Sequence, residues 1–123
     1  MILHLTQDLM MTSVASRAAR ECGQPFKFVA SVTRVIDMIR ENDVRLLVVD
    51  LQSPDFRLED LVRELSALEL ELRPPTVAYA QHVLTEVLKQ ANDSPVVERV
   101  MTRGQFHQAA ADIFASVLTR QDG

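Results

Sequence analysis

Glycine, cysteine and tryptophan are scarce in this chain of 123 residues, which contains three glycines, one cysteine and no tryptophan. So few glycines argue against a glycine-rich loop that cradles phosphates, and no Walker A or dinucleotide-binding string occurs. The single Cys22 cannot form an internal disulfide, which is typical of proteins in a reducing compartment. We therefore expect a cytoplasmic domain that is neither a nucleotide-loop enzyme nor a disulfide scaffold.

The chain also has no excess of basic residues. It contains 13 Lys and Arg and 17 Asp and Glu, which gives a net charge of -4. Non-specific nucleic-acid binding needs a positive stripe, so we expect no nucleic-acid partner. The start of the chain lacks the pattern of a signal peptide, and no apolar segment approaches the roughly 20 residues that span a bilayer. We expect no membrane partner and a single domain over residues 1–123.

The segment RLLVVDLQSP, residues 45–54, is the strongest structural signal. Four apolar residues at 46–49 lead directly into Asp50, and a turn closes at Pro54. An uninterrupted apolar run of this length predicts a parallel strand that is buried on both faces. An acid at its carboxyl end lies where open α/β sheets place their functional groups.

Strand-like and helix-like segments alternate along the whole chain. Strands are predicted at residues 1–5, 25–30, 46–49, 76–80 and 99–101. Asp8 and Ser31 are typical N-caps of the first two helices. The third helix is predicted over residues 58–72, the fourth over 83–91 with Val83 buried, and the fifth from about Gln105. Five β-α units with short connections predict an α/β, flavodoxin-like (βα)5 three-layer sandwich, with a parallel five-stranded sheet in the order 2-1-3-4-5.

With this pattern, the chain resembles response-regulator receiver (CheY-like) domains over its whole length. Asp50 stands in the place of their phosphoacceptor aspartate, and Pro54 matches the proline four residues later. Pro75 before the fourth strand and Arg103 after the fifth also fit. The strings DLMM, AYAQHV and TRGQF are similar to a divergent group of receivers without an established activity. The resemblance implies two-component signal transduction by phosphorelay.

The resemblance also implies which residues should surround Asp50, and several of them differ here. The family holds Mg²⁺ with a pair of acids after the first strand, together with the acceptor aspartate; this chain has Thr6, Gln7 and Asp8 in that place. Its hydroxyl residue after the fourth strand is replaced by Ala80, and its lysine after the fifth by Arg103. These replacements all affect phosphoryl transfer, which brings negative oxygens together and needs a cation.

Asp50, Asp8 and Arg103 therefore each have two interpretations. Arg103 either binds an anion or phosphate at the carboxyl edge of the sheet or pairs with Asp50, and we favour the pairing. Asp50 is either a phosphoacceptor or a buried carboxylate that accepts backbone hydrogen bonds or pairs with Arg103, and we favour the second. Asp8 is either a remnant metal ligand or the N-cap of the first helix, and we favour the cap. Mg²⁺ is expected only if the site is active, weakly and through Asp8 and Asp50; otherwise no cofactor is expected.

Histidines do not form a metal motif in this sequence. His4 lies within the first strand, and His107 lies at the start of the fifth helix. His82 follows the fourth strand at the functional edge of the sheet, where it is a candidate for ligand binding or proton transfer. Serines have no evident base partner, so no catalytic residue and no enzyme activity are predicted.

The sequence favours a stand-alone pseudo-receiver that acts through protein–protein interaction. We expect a signalling protein to bind in trans, or a homodimer to form, through helix 4, strand 5 and helix 5. Candidate contact residues on this face are Glu86, Lys89, Gln90 and Arg99. One alternative is an atypical but active response regulator that is phosphorylated on Asp50. The other is a small-ligand site around Asp50, His82 and Arg103.

Overall fold

A computed structural model describes residues 1–122 of the chain and the side chains of residues 1–120. Its strands are β1 (Ile2–Leu5), β2 (Phe26–Val29), β3 (Leu46–Asp50), β4 (Thr76–Ala80) and β5 (Arg99–Thr102). Its helices are α1 (Leu9–Glu21), α2 (Val32–Glu41), α3 (Leu58–Ser66), α4 (Thr85–Asn92) and α5 (Arg103–Asp122). Within this described part of the chain, no helix is long and apolar enough to cross a membrane.

The strands form one sheet in the order β2-β1-β3-β4-β5, and every neighbouring pair is parallel. This confirms the predicted α/β, flavodoxin-like architecture and its strand order. The central strand β3 is buried along its whole length, as its apolar sequence predicts. The carboxyl ends of the strands meet at one edge of the sheet, so the residues after β1, β3, β4 and β5 lie near one another.

The sheet has a hydrophobic core on each face, because successive strand residues point to opposite sides. One core joins β1, β3 and β4 to α2, α3 and α4, and it includes Leu3, Leu47 and Ala80. The other joins the sheet to α1 and α5, and it includes Met11 and Phe106. The two layers of helices complete the predicted three-layer sandwich.

The third helix is shorter than the predicted span of residues 58–72. It ends at Ser66, and Leu70–Leu72 form a separate 3₁₀ turn. The guanidinium of Arg73 donates to the backbone oxygens of Ser66, at 2.7 Å, and of Leu68, at 2.9 Å. These bonds satisfy carbonyls at the end of the helix, where the intrahelical pattern leaves them without partners.

Two further boundaries differ from prediction. Val83 is 64% exposed, so its predicted burial is wrong. The backbone N–H of Leu84 donates to the oxygen of Gln81 and closes a turn, which leaves Val83 outside the helix. The fifth helix begins at Arg103, before the predicted start at Gln105, because Thr102 and Gln105 form reciprocal backbone and side-chain hydrogen bonds of 2.9 and 3.1 Å.

Replacing Phe106 by Ala tests the core between the sheet and α5. Phe106 is fully buried, so F106A should lower the free energy of unfolding by about 3–5 kcal/mol. Phe28 is 49% exposed, and the control F28A should cost less than about 1 kcal/mol. Urea denaturation followed by circular dichroism measures both. Equal losses in the two variants would contradict this assignment of the core.

Candidate functional site

Asp50 ends β3, and its carboxylate lies inside the protein, where the residue is only 7% exposed. Its Oδ2 accepts a hydrogen bond of 2.8 Å from the hydroxyl of Thr6, and its Oδ1 accepts one of 3.0 Å from the backbone N–H of Gln52. The strand register explains the bond between Thr6 and Asp50. Leu5 of β1 pairs with Val49 of β3, so Thr6, which follows Leu5, lies beside Asp50, which follows Val49. Each oxygen therefore has a donor, as a buried carboxylate requires.

Asp8 is the N-cap of α1, as the sequence predicts. Its Oδ1 accepts hydrogen bonds from the backbone N–H groups of Met10, at 2.9 Å, and Met11, at 3.2 Å. Its Oδ2 accepts a charge-assisted bond of 2.6 Å from Nη2 of Arg103. This corner joins the start of α1 to the start of α5, two helices that pack against each other.

The predicted pairing of Arg103 with Asp50 is wrong. Arg103 is the first residue of α5, and its guanidinium lies against the cap of α1. The Asp50 carboxylate instead accepts hydrogen bonds from the Thr6 hydroxyl and from the backbone N–H of Gln52. Arg103, the charged donor, pairs with Asp8. Asp50 is the more buried of the two acids, and neutral donors stabilise it.

The Thr6 hydroxyl connects the two acidic residues. Thr6 is fully buried; its oxygen donates to Asp50 and accepts a hydrogen bond of 3.0 Å from the backbone N–H of Asp8. One hydroxyl therefore fixes the loop after β1 to the end of β3.

A buried aromatic and imidazole cluster lies on the same face of the sheet as the Asp50 carboxylate. Nε2 of His4 lies 2.8 Å from the hydroxyl of Tyr79, and the Tyr79 ring stacks on Phe106 at 4.6 Å between centroids. Among the described atoms, Nδ1 of His4 has no hydrogen-bond partner. Burial lowers the pKa of His4 to about 3, although the charge of Asp8 opposes this. Burial, with the charge of Asp50 second, raises the pKa of Tyr79. Both groups are therefore neutral near pH 7.

Sequence reasoning missed Tyr79 and His4 as neighbours of the site. The receiver pattern indicated Ala80 as the site residue from β4. Ala80 is fully buried in the core on the face of the sheet that packs against α2, α3 and α4. Tyr79, one residue earlier, is the register partner of Asp50. Side chains alternate between the two faces of the sheet, so His4, Thr6 and Tyr79 lie on the same face as Asp50. Polar residues at every second position of the sequence were therefore the signal that could have identified this cluster.

Two glutamines hold the loop that follows Asp50. The Nε2 of Gln7 donates to the backbone oxygen of Pro54 at 3.2 Å. The Oε1 of Gln52 accepts a hydrogen bond of 2.7 Å from the backbone N–H of Gln81. The loop is thus tied to the segments after β1 and after β4, on both sides of the buried carboxylate.

His82 lies at the edge of the sheet, in the turn after β4. It is exposed, and it lines a cavity of about 480 Å³ together with Arg103 and His107. Asp50 is not among the lining residues of this cavity. The predicted cluster of Asp50, His82 and Arg103 is therefore only partly brought together. Among the described residues, no three His, Cys, Asp or Glu side chains are grouped to hold a metal ion.

No protein-family model and no curated protein sequence matches the chain. Solved structures do match it. A putative response regulator from Chloroflexus aurantiacus superposes with a TM-score of 0.80 at 14% identity, covering 96% of both chains. The chain has the fold of response-regulator receiver domains. The resemblance stated from the sequence is thereby confirmed at the level of the fold.

Two further receiver folds show how widely the likeness extends. The receiver domain of a sensor histidine kinase from Pseudomonas aeruginosa, with magnesium coordinated in its active-site cleft, has a TM-score of 0.78 at 15% identity, covering 96% of both chains. A chemotaxis response regulator of Vibrio cholerae has a TM-score of 0.77 at 9% identity, covering 95% of this chain and 97% of its own. Receiver folds of different systems thus match nearly the whole chain.

Replacing Thr6 by Val tests the hydrogen bond to Asp50. T6V keeps the shape of the side chain but removes the donor to Oδ2, so the free energy of unfolding should fall by about 1–3 kcal/mol. T119V, at an exposed position of α5, is the matched control and should change it by less than about 0.5 kcal/mol. Chemical denaturation measures both values. A neutral T6V variant would show that the hydroxyl is not needed to bury Asp50.

Tyr79 is the only tyrosine and the chain has no tryptophan, so absorbance near 295 nm reports its ionisation alone. Because its pKa is raised in the folded protein, the unfolded chain ionises first, at a pH of about 10. The burial of Tyr79 therefore does not change the stability below that pH, and it lowers the stability as the pH rises above it. We expect tyrosinate to appear together with the loss of circular dichroism. Ionisation near pH 10 in the folded protein would contradict the buried position.

Proposed function

We propose that this chain is a single receiver-like domain that works as a cytoplasmic signalling module through protein–protein contacts. In this proposal its phosphorylation site is degenerate, it is not an enzyme, and it has no nucleic-acid partner. One observation carries the proposal: both oxygens of Asp8 and both oxygens of Asp50 already accept hydrogen bonds from the protein. The groups that a working receiver offers to a cation are used here to hold the fold.

The residues present do not fit Mg²⁺. This ion requires oxygen ligands in near-octahedral geometry. To reach Asp50 it would displace the buried Thr6 hydroxyl, and to reach Asp8 it would displace Arg103, whose positive charge also repels a cation. Thr6, Gln7 and Asp8 stand where the receiver pattern has a pair of acids, so at most one acid remains. We therefore propose that the module functions without a metal cofactor.

Phosphorylation of Asp50 lacks support for the same reason. A phosphoryl group on this carboxylate would add negative charge beside a buried, neutral cluster formed by His4 and Tyr79. Ala80 offers a methyl group in place of a hydroxyl, and Arg103 is engaged by Asp8. Without a cation to neutralise them, the clustered oxygens destabilise the phosphorylated state.

The face formed by α4, β5 and α5 is the proposed contact surface. The candidate contact residues Glu86, Lys89, Gln90 and Arg99 are all exposed. A shallow depression of about 360 Å³ on the same face is lined in part by Leu88, Val100 and Met101. Apolar side chains surrounded by charged ones are typical of protein contact surfaces. A signalling protein in trans, or a second copy of the chain, would bind there.

Incubation with a small phosphodonor tests the degenerate site. In millimolar Mg²⁺, intact mass spectrometry should detect no phosphoryl adduct, because the carboxylate oxygens are hydrogen-bonded and no cation site is formed. A receiver domain of known activity serves as the positive control. An acid-labile adduct that disappears in D50N would overturn the proposal in favour of an active response regulator.

Reversing charge on the proposed face tests its role in binding. K89E combined with R99E should weaken self-association in sedimentation velocity by about tenfold, since reversed charges would repel the partner surface. If the chain is a monomer, the same variant should lose partners that the original chain captures from a lysate of its own organism. R20E combined with K27E, at the opposite end of the sheet, is the control. A monomer whose captured proteins are the same in all variants would refute this surface.

A further inference from the structure

The strand β2 lies at an edge of the sheet, where it pairs only with β1. The backbone oxygens of Pro25 and Val29 accept hydrogen bonds of 2.8 and 3.0 Å from N–H groups of β1 and of the residue that follows it. Backbone groups of a parallel strand face its two sides alternately, so the odd-numbered residues of β2 face β1. The N–H and C=O groups of Phe26 and Phe28 therefore face outward, where no strand of the described chain pairs with them.

A cavity of about 540 Å³ lies between this edge and α1. On α1 it is lined by Thr12, Ser16 and Arg20, which lie one turn apart on the same side of the helix. On β2 it is lined by residues 26–28. Phe26 packs against the core on the α1 and α5 face, and Phe28 lies on the same face because side chains alternate along a strand. Exposed apolar surface therefore lies directly beside the unpaired backbone groups of β2.

The charged residues that line this cavity are both basic. Arg20 and Lys27 are exposed, and neither has a hydrogen-bond or ion-pair partner among the described side chains. No Asp or Glu of the described residues lines the cavity. The whole chain carries a net charge of -4, so the positive charge at this edge is local. Charge complementarity therefore favours an acidic occupant.

A second copy of the chain fits this edge poorly. The antiparallel pairing that sets Phe26 of one copy opposite Phe28 of the other also sets Lys27 opposite Lys27. Like charges directly opposite each other destabilise a pair of strands. Lysine on an exposed strand edge is a common feature that prevents such self-association. A strand of opposite charge meets no such repulsion.

We propose that the edge of β2 binds an extended acidic peptide segment of a partner protein, which adds to the sheet as a further strand. Its backbone would pair with Phe26 and Phe28, and its apolar side chains at every second position would contact their rings. The alternate positions, on the other face, would carry acids that pair with Lys27, and a further acid at the end of the cavity would reach Arg20. This edge is opposite to β5, so the surface is separate from the proposed contact face of α4, β5 and α5.

A short synthetic peptide that alternates valine with glutamate is the probe. Fluorescence anisotropy of the labelled peptide should show saturable binding, and the same peptide with lysine in place of glutamate should not bind. Backbone N-methylation of the valines alone or of the glutamates alone removes the N–H groups on one side of the added strand. One of these two peptides should lose binding and the other should keep it, because only one side faces β2.

Charge reversal at the edge tests the protein side. R20E combined with K27E should weaken binding of the valine–glutamate peptide by about tenfold, because the reversed charges repel its acids. R57E combined with R63E is the matched control; it changes the net charge equally at exposed positions of the α3 region and should bind as the original chain does. Partners of the α4, β5 and α5 face should be retained by R20E combined with K27E, so the two surfaces are tested separately.

Amide hydrogen exchange gives a readout that charge attraction alone would not move. The N–H groups of Phe26 and Phe28 should exchange rapidly in the free protein and should be protected in the presence of the peptide. The absence of saturable binding, equal binding of the lysine peptide, equal effects of the two N-methylated peptides, or unchanged exchange at Phe26 and Phe28 would overturn the proposal.

Discussion

The burial of the Asp50 carboxylate is the constraint on which the candidate site depends. A carboxylate at the end of a buried central strand is stable only when its oxygens have donors. Thr6 provides one donor from the neighbouring strand, and the backbone of the following loop provides the other. Once these bonds are made, each oxygen of Asp50 has a protein donor, and Arg103 pairs with Asp8.

The same hydroxyl explains why the corner of the sheet is tightly connected. Thr6 also accepts the backbone N–H of Asp8, so the loop after β1, the cap of α1 and the end of β3 are held by one side chain. An acid in the position of Thr6 would place two carboxylates together and would need a cation between them. With threonine at this position, the hydroxyl bonds to Asp50 and to the backbone of Asp8, so protein groups alone supply the hydrogen bonds.

The fold could be predicted from the sequence because its signals are local and repeated. The apolar run before Asp50 and the alternation of strand and helix patterns predict the parallel sheet, and the common arrangement of domains of this size predicts its strand order. The cap formed by Asp8 followed from residue type and position. The partner of Arg103 could not be predicted in this way, because two acids lie within plausible reach and only the packing of α5 on α1 selects Asp8.

The contact between His4 and Tyr79 could not be predicted for a different reason. His4 and Tyr79 lie within apolar strands, where single polar residues are easily read as incidental, and their contact joins residues that are distant in sequence. Similarly, His82 and His107 show no motif spacing, and both line one cavity because the ends of β4 and β5 are adjacent.

The central claim is that Asp50 is held by protein donors and does not bind Mg²⁺. The most direct measurement is the side-chain carboxyl ¹³C resonance of Asp50 and Asp8 during titration with MgCl₂, with NaCl at equal ionic strength as the reference. The account predicts that neither resonance shows a saturable, magnesium-specific shift. A saturable shift of both resonances at millimolar Mg²⁺ would contradict it and would restore an active receiver site.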